Sequence, residues 1–110
     1  MFRTKAQHKA CNTCPIAKTA DLIGDSAVLL IVRDLGISSR RFGELQASLP
    51  GISTRTLTEK LKVLEIEELI LKQKYAEFPP RVEYTLTKKG VGLLSIIHAM
   101  EQYGKKYLET

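Results

Sequence analysis

The sequence predicts a mainly α-helical domain that carries one small β-hairpin. Within 41–64, two short helical patterns, RFGELQASL and STRTLTEKLKVL, stand on either side of a Pro-Gly-Ile break. Each pattern repeats apolar residues every three or four positions, which places them on one helix face. Residues 69–86 alternate between apolar and polar side chains instead, as strands do. A chain of 110 residues supports a single hydrophobic core, so we expect these elements to belong to one domain.

The two helical patterns in 41–64 predict a pair of helices packed at a steep angle. Pro50 and Gly51 supply the turn between them, and Ser53 is placed to cap the second helix. That second helix begins with a polar face, and a helix of this kind fits the major groove of DNA. The residues expected in the core are Phe42, Leu45 and Leu49 from the first helix and Leu57, Leu61 and Leu64 from the second.

Two further helices are expected before this pair. Pro15 suits the first position of a helix that ends near Gly24, and Asp25 or Ser26 can cap the next helix, which ends before 36–39. Residues 1–10 are polar and basic and predict a flexible N-terminal arm, so the domain is expected to span 11–110. The apolar positions of the second of these helices are Ala27, Leu30, Ile31 and Leu35.

The alternating residues form two predicted strands, 69–75 and 81–86. Val82, Tyr84 and Leu86 share one face of the second strand. Residues 76–80 between the strands contain two prolines, which favours a loop. Two helices and a turn, followed by a hairpin, make a winged helix-turn-helix.

Thr87 is expected to cap a last helix, at about 88–108, with Gly90 near its start. Its apolar residues cover more than one face, so packing on its own domain would leave some of them exposed. A second copy of the same helix would cover them and give a symmetric dimer, whereas the alternative is a deep groove in the same domain. The predicted interface residues are Leu93, Leu94, Ile97, Met100, Tyr103 and Tyr107.

The charge of the chain favours a polyanionic partner. Its net charge is +5 and its pI is about 9.3. The chain has no apolar run long enough for a membrane span and no secretory signal, so we expect a cytoplasmic protein with reduced cysteines. It has no Ser-His-Asp order, no metal-ligand cluster and no phosphate-binding glycine loop. We therefore expect neither an enzyme nor a bound cofactor or metal.

The partner that these patterns predict is double-stranded DNA. Arg55 is the best candidate for base contact, because its guanidinium can make two hydrogen bonds to guanine. The amide groups at the start of the same helix suit a phosphate, and the hairpin cations can reach the backbone or the minor groove. Simple solvation is the alternative for any one of these charges. The predicted DNA-binding residues are Arg40, Arg41, Ser53, Thr54, Arg55, Thr56, Glu59, Lys60, Lys72, Lys74 and Arg81.

Several strings in the sequence resemble those of the HxlR-type winged-helix transcription regulators, which are relatives of the MarR group. They are CPI at 14–16, LIG at 22–24, RFGEL at 41–45, LPGIS at 49–53 and PPRVEYTLTKKG at 79–90. The resemblance spans about 14–100 and implies a homodimeric, DNA-binding regulator. It also implies that the helix after Ser53 reads DNA, that the hairpin is the wing, and that the last helix forms the dimer interface. A winged-helix module that binds proteins instead is the alternative function.

The chain departs from that resemblance in two places. The family's usual tryptophan is absent, because GDSA stands at 24–27 and the chain has no Trp. A glycine expected just before the first wing strand is also missing from IEEL at 66–69. Neither departure touches the surface predicted to read DNA.

Cys11 and Cys14 form a C-x-x-C pair just before the first helix. A structural zinc site would need about four ligands, and only His8 and His98 could add to the pair. A thioredoxin-like site would need a βαβ setting. The third interpretation is a redox or electrophile switch, because a helix N-terminus and the nearby Lys18 would stabilise a thiolate at Cys14. The alternative is a small buried side chain at Cys14 and an unreactive thiol at Cys11. The resemblance adds that some family members sense oxidants or carbonyls through a cysteine in this region.

Overall fold

The computed structural model describes residues 14–109, and its elements follow the predicted order. The predicted N-terminal arm and Cys11 lie outside these residues. No helix within 14–109 has both the length and the apolar character needed to cross a membrane. The elements are α1 (Pro15–Ile23), α2 (Ser26–Ile37), α3 (Phe42–Ser48), α4 (Thr54–Ile66), β1 (Ile70–Tyr75), β2 (Arg81–Leu86), α5 (Lys88–Val91) and α6 (Leu94–Tyr107).

The hydrophobic core lies between α2, α3, α4 and the hairpin. All five leucines predicted to face inward from the helix pair are buried, and Phe42 packs partly buried at the edge of the core. In α2, Ile31 and Leu35 are buried as predicted, whereas Leu30 is exposed and Val28 takes an inward position instead. The fully buried side chains include Ile31, Val32, Leu45, Leu57, Leu61, Leu64, Leu69 and Ile70.

The helices begin at the predicted caps. The Asp25 carboxylate accepts hydrogen bonds from the backbone N–H groups of Ala27 (2.8 Å) and Val28 (3.2 Å). The Ser53 hydroxyl oxygen accepts one from the N–H of Thr56 at 3.0 Å. These caps satisfy amide groups that have no partner within the helix, and so they fix where α2 and α4 start.

Helix α4 ends at Ile66 and is followed by a left-handed turn at Glu68 (φ 60°). The Glu68 N–H donates to the Glu65 carbonyl (3.0 Å), and the Leu69 N–H donates to the Leu64 carbonyl (2.9 Å). This pair of bonds is a Schellman motif, which ordinarily places glycine in the left-handed position. The joint between α4 and the wing therefore keeps its turn, although glutamate replaces the expected glycine.

The wing consists of β1, β2 and the loop 76–80. The strands are antiparallel, and Ile70 pairs with Leu86 while Tyr75 pairs with Arg81. A third, one-residue strand adds to β2, because Arg40 and Tyr84 exchange two backbone hydrogen bonds of 3.1 and 2.8 Å. This bridge cannot be predicted from the sequence, because a single paired residue shows no alternation of apolar and polar side chains. It places the start of α3 beside the wing.

The predicted last helix is divided into α5 and α6 at Gly92 and Leu93. Gly90 lies against the wing joint, where a Cβ atom would stand 2.2 Å from the Leu69 carbonyl oxygen. After the break, Leu94 packs over Gly36 of α2, where a Cβ atom would meet the Leu94 side chain at 2.7 Å. The break thus lets α5 pack tightly on the joint between α4 and the wing, while α6 packs on α2.

Candidate nucleic-acid interface

The first turn of α4 forms an exposed polar surface. The Arg55 side chain is 89% exposed, and its Nε lies 3.2 Å from a carboxylate oxygen of Glu59, one turn further along the helix. An exposed pair of this kind contributes at most about 1 kcal/mol. The ion pair with Glu59 therefore restrains the Arg55 guanidinium only weakly.

The hydroxyl groups around Arg55 hold the start of α4 in place. Ser53 donates a hydrogen bond to the Thr56 hydroxyl (2.9 Å), and the Thr54 hydroxyl accepts one from the Gln46 amide of α3 (3.1 Å). The second of these bonds joins the two helices of the helix-turn-helix pair. The structure thus brings together four of the predicted DNA-binding residues in one turn.

Lys60 lies apart from this surface, contrary to the sequence-based expectation that it shares the exposed side of α4. Its ammonium group forms an ion pair with the Asp25 carboxylate at the start of α2, and its side chain is 30% exposed. Partial burial would raise the pKa of Asp25, but the hydrogen bonds from Lys60 and from the Val28 N–H outweigh it and hold that pKa below its ordinary value. Lys60 thus anchors α4 to α2.

Arg40 and Arg41 stand at the entrance of α3, as predicted. Arg41 is exposed, and its backbone N–H donates to the Glu44 carboxylate at 2.8 Å. Arg40 is half-buried and lines a shallow depression with Asp34, Glu44 and Ser48. Of the two arginines, Arg41 is therefore the more accessible to a phosphate.

The wing places its predicted DNA-binding cations on opposite faces. Lys72 and Lys74 follow Ile70 on one face of β1 and are exposed, whereas Arg81 pairs with Tyr75 on the other face. On the Lys72 face, burial raises the pKa of Tyr84, and the Glu65 carboxylate raises it further. Of these three cations, only Lys72 and Lys74 are exposed to solvent.

Arg81 is engaged within the wing. Its Nη2 lies 3.4 Å from Glu77, its Nε lies 3.1 Å from Glu83, and its guanidinium carbon lies 4.1 Å from the centre of the Tyr75 ring. Phe78, at the tip of the same loop, is fully exposed. Phe78 is not among the predicted DNA-binding residues, although an aromatic residue between Glu77 and two prolines is a visible signal in the sequence.

The family model for HxlR-like helix-turn-helix proteins matches residues 22–110 of the chain. The chain belongs to the HxlR-like helix-turn-helix family. This confirms the resemblance inferred from the sequence motifs, and the structure shows the winged-helix arrangement of helices and hairpin that they implied.

Known relatives of this HxlR-like protein are transcriptional regulators. An uncharacterized HTH-type transcriptional regulator of Synechocystis sp., sll1512, is 42% identical over 96 residues, which are 87% of this chain and 71% of that protein. The redox regulator HypR in its oxidized form matches with a TM-score of 0.82 and 31% identity, covering 88% of this chain and 100% of that one. The reduced form of the regulator YodB from B. subtilis matches with a TM-score of 0.76 and 35% identity, covering 87% and 95%. These relatives favour a transcriptional regulator over a protein-interaction module.

The last helix of this HxlR-like protein divides the predicted interface residues into two groups. Leu93 is only 7% exposed and belongs to the core of its own chain, which differs from the prediction that it faces a partner. The break before α6 is the reason, because it turns Leu93 inward. Leu94 and Ile97 are partly buried against the core, and the exposed members are Met100, Tyr103 and Tyr107.

Cys14 occupies the N-cap position of α1 in this HxlR-like protein. Its thiol is half-buried and makes no capping hydrogen bond to the helix, while its carbonyl accepts from the Lys18 N–H at 2.9 Å. The helix N-terminus therefore lies beside the sulfur, as the sequence predicted. Cys11 and His8 lie outside the described residues, and His98 is exposed on α6.

Proposed function

We propose that the protein binds a pseudo-palindromic DNA operator as a homodimer and regulates transcription from it. The observation that carries this proposal is the exposed first turn of α4, which presents Arg55 to solvent with only a weak internal partner. Membership in a helix-turn-helix family whose relatives are transcriptional regulators supports it. In this role α4 is the recognition helix and lies in the major groove.

The proposed contacts divide into base reading, phosphate binding and positioning. Arg55 reads a guanine, and Glu59 aims its guanidinium. Backbone amides at the start of α4 and the side chain of Arg41 bind phosphates, as Lys72 and Lys74 do from the wing. Lys60 and Arg81 make no DNA contact in this proposal. They position α4 and the wing instead, since each forms an ion pair within the protein.

The test replaces Arg55 and measures binding to a duplex that the purified parent protein has selected from a random DNA pool. Arg55→Ala is expected to weaken binding to that duplex by about tenfold to a hundredfold per recognition helix and to relax the preference at the contacted guanine, because a bidentate contact contributes about 1–3 kcal/mol. Its fold and oligomeric state should match those of the parent.

Lys105→Ala is the matched control, since Lys105 also pairs with a carboxylate one turn away (Glu101, 3.3 Å). It removes the same charge from α6 and should leave sequence preference unchanged. If the parent enriches no sequence from the pool, or if Arg55→Ala binds the selected duplex as the parent does, the proposed reading of DNA by α4 is wrong.

The dimer follows from the exposed part of α6. Met100, Tyr103 and Tyr107 lie three or four residues apart and form one exposed apolar face of α6. A second copy related by a two-fold axis would cover the same face on both chains. The two recognition helices would then meet half-sites one DNA turn apart or a multiple of it, about 34–36 Å in the shortest case.

We also propose that oxidants or electrophiles control DNA binding through Cys14. The thiol lies at a helix N-terminus, a position that favours the thiolate. The similar HypR is described as a redox regulator. An adduct or disulfide at Cys14 would add bulk at the start of α1, a helix that packs against α2.

The test of this second proposal uses diamide, which oxidises thiols to disulfides. Diamide should weaken binding of the parent to the selected duplex and should leave the affinity of Cys14→Ser unchanged. Cys11→Ser shows whether the second thiol supplies the other sulfur. A Cys14→Ser variant that still responds to diamide as the parent does would rule out Cys14 as the sensor.

A further inference from the structure

Phe78 is the most exposed large apolar side chain of residues 14–109. It is 100% exposed, while the next in order, Ile16, is 80% exposed. The ring stands at the tip of the wing, where no described part of the chain covers it. A phenyl ring held in water at the end of a hairpin forgoes the stabilisation that burial gives apolar surface, so contact with a partner would be favourable.

The charge around Phe78 indicates what such a partner could be. Arg81 is the cation nearest the tip in the sequence, and two carboxylates and the Tyr75 ring occupy it. The wing therefore has no unengaged arginine at its tip to extend into a DNA minor groove. Pairing with Arg81 also offsets the negative charge of Glu77, which would otherwise repel phosphates beside Phe78.

Two exposed lysines favour DNA as the partner. Lys72 and Lys74 lie on the same face of β1, which leads from the end of α4 to the wing tip. The positive charges of Lys72 and Lys74 complement the negative charges of the phosphates that border a DNA groove. These two lysines thus lie along the strand that joins the end of α4 to the loop that carries Phe78.

We infer that Phe78 is an apolar wedge that enters the DNA minor groove beside the major-groove site and partly unstacks one base step. Apolar side chains used in this way kink the duplex and let more of the protein touch it. The step must be deformable, so the operator should carry a pyrimidine–purine step where the wing lands, although Phe78 makes no hydrogen bond there. This inference rests on the proposed operator binding.

The experiment compares Phe78→Ala with Phe78→Leu on the duplex selected by the parent protein. Phe78→Ala should bind about tenfold more weakly, since contact between an aromatic ring and a base contributes about 1–3 kcal/mol. Its dependence on salt concentration should equal that of the parent, because no phosphate contact is lost. Phe78→Leu keeps an apolar wedge and should lose about threefold or less.

A second measurement reports unstacking directly. The duplex carries 2-aminopurine at the step facing the wing, and its fluorescence rises when the base loses its stacked neighbours. The parent and Phe78→Leu should raise the fluorescence, and Phe78→Ala should not. Leu71→Ala is the control, because Leu71 is an exposed apolar residue on the strand rather than at the tip; it should behave as the parent does.

The inference is overturned if Phe78→Ala keeps the affinity and fluorescence change of the parent. It is also overturned if the variant changes the oligomeric state in sedimentation, because Phe78 would then contact a second copy of the chain. The experiments distinguish failure of the two proposals. If Arg55→Ala loses binding and Phe78→Ala does not, only the insertion of Phe78 into the minor groove is contradicted. A parent protein that selects no DNA sequence contradicts operator binding itself.

Discussion

At the scale of single residues, Glu68 holds a backbone conformation that glycine adopts more readily. Its φ of 60° places the Cβ atom close to the following carbonyl, which costs about 1–2 kcal/mol for a residue other than glycine. The Schellman hydrogen bonds and the Thr87 hydroxyl, which donates to the Glu68 carbonyl at 2.6 Å, maintain the turn nonetheless. The backbone strain is thus located where α4 meets the wing.

We expect Glu68→Gly to raise the free energy of unfolding by about 1 kcal/mol, because relief of the strain exceeds the extra entropy that glycine gives the unfolded chain. Urea unfolding would show it as a higher midpoint at an unchanged slope. Glu67→Gly is the control: Glu67 has φ −78°, so glycine relieves nothing there and should be neutral or destabilising. An equal gain in both variants would contradict the argument from φ.

The residue scale also separates what sequence could predict from what it could not. Ser53 as a cap and the leucines of the helix pair follow from neighbours within one or two turns, and the structure bears both out. The sequence predicts DNA contact for Lys60 and Arg81 from their charge and from their positions on α4 and beside the wing loop. Their partners are fixed by tertiary folding, because Asp25 lies 35 residues from Lys60 in the sequence and the stacking of Arg81 on Tyr75 depends on strand register.

At the scale of secondary structure, the Asp25–Lys60 ion pair connects α4 to the start of α2. We expect Asp25→Asn to preserve the cap, since asparagine caps helices as well as aspartate does, and to lose the ion pair. The pair is about one-third exposed, so the loss in the free energy of unfolding at pH 7 should be at most about 1 kcal/mol. Chemical denaturation of both proteins would measure it.

The pH dependence of that difference identifies its origin. The pKa of Asp25 is lower in the folded protein than its ordinary value of 3.8, so its charged form stabilises the fold above that value. The contribution disappears as the pH falls through the folded pKa and the carboxyl takes up a proton. The difference in stability between the parent and Asp25→Asn should therefore begin to shrink as the pH falls below about 3.8 and should vanish below the folded pKa of Asp25. A difference that does not shrink as the pH falls would have another cause than the charge.

Elements differ in how far their sequence predicts them. Helix α4 and the hairpin have regular periodicity over many residues, so their type and order follow from the pattern. The division of the last helix does not, because 88–108 reads as continuous helix. It arises from close packing of Gly90 on the Leu69 carbonyl and of Leu94 on Gly36, and such approaches depend on elements distant in the sequence.

At the scale of the whole molecule, α6 leaves the domain with an apolar face that no part of residues 14–109 covers. Tyr103 and Tyr107 are each 60% exposed, and their ring centres lie 4.9 Å apart. A groove between α2 and α6, lined by Leu29, Leu30 and Met100, continues this face toward the domain. A second copy that covers this surface would fix the distance between the two recognition helices.

Tyr103→Asp should convert the protein from a dimer to a monomer, because a carboxylate buried at the centre of an apolar interface has no partner. Sedimentation should show the parent at about twice the 12.3 kDa of one chain and the variant near that single mass. The variant should bind a palindromic duplex no more tightly than a single half-site. Gln102→Asp adds the same charge one residue away, on a different face of α6, and should remain a dimer. A dimeric Tyr103→Asp protein would exclude this face as the interface, and the spacing of half-sites would then be set by another surface.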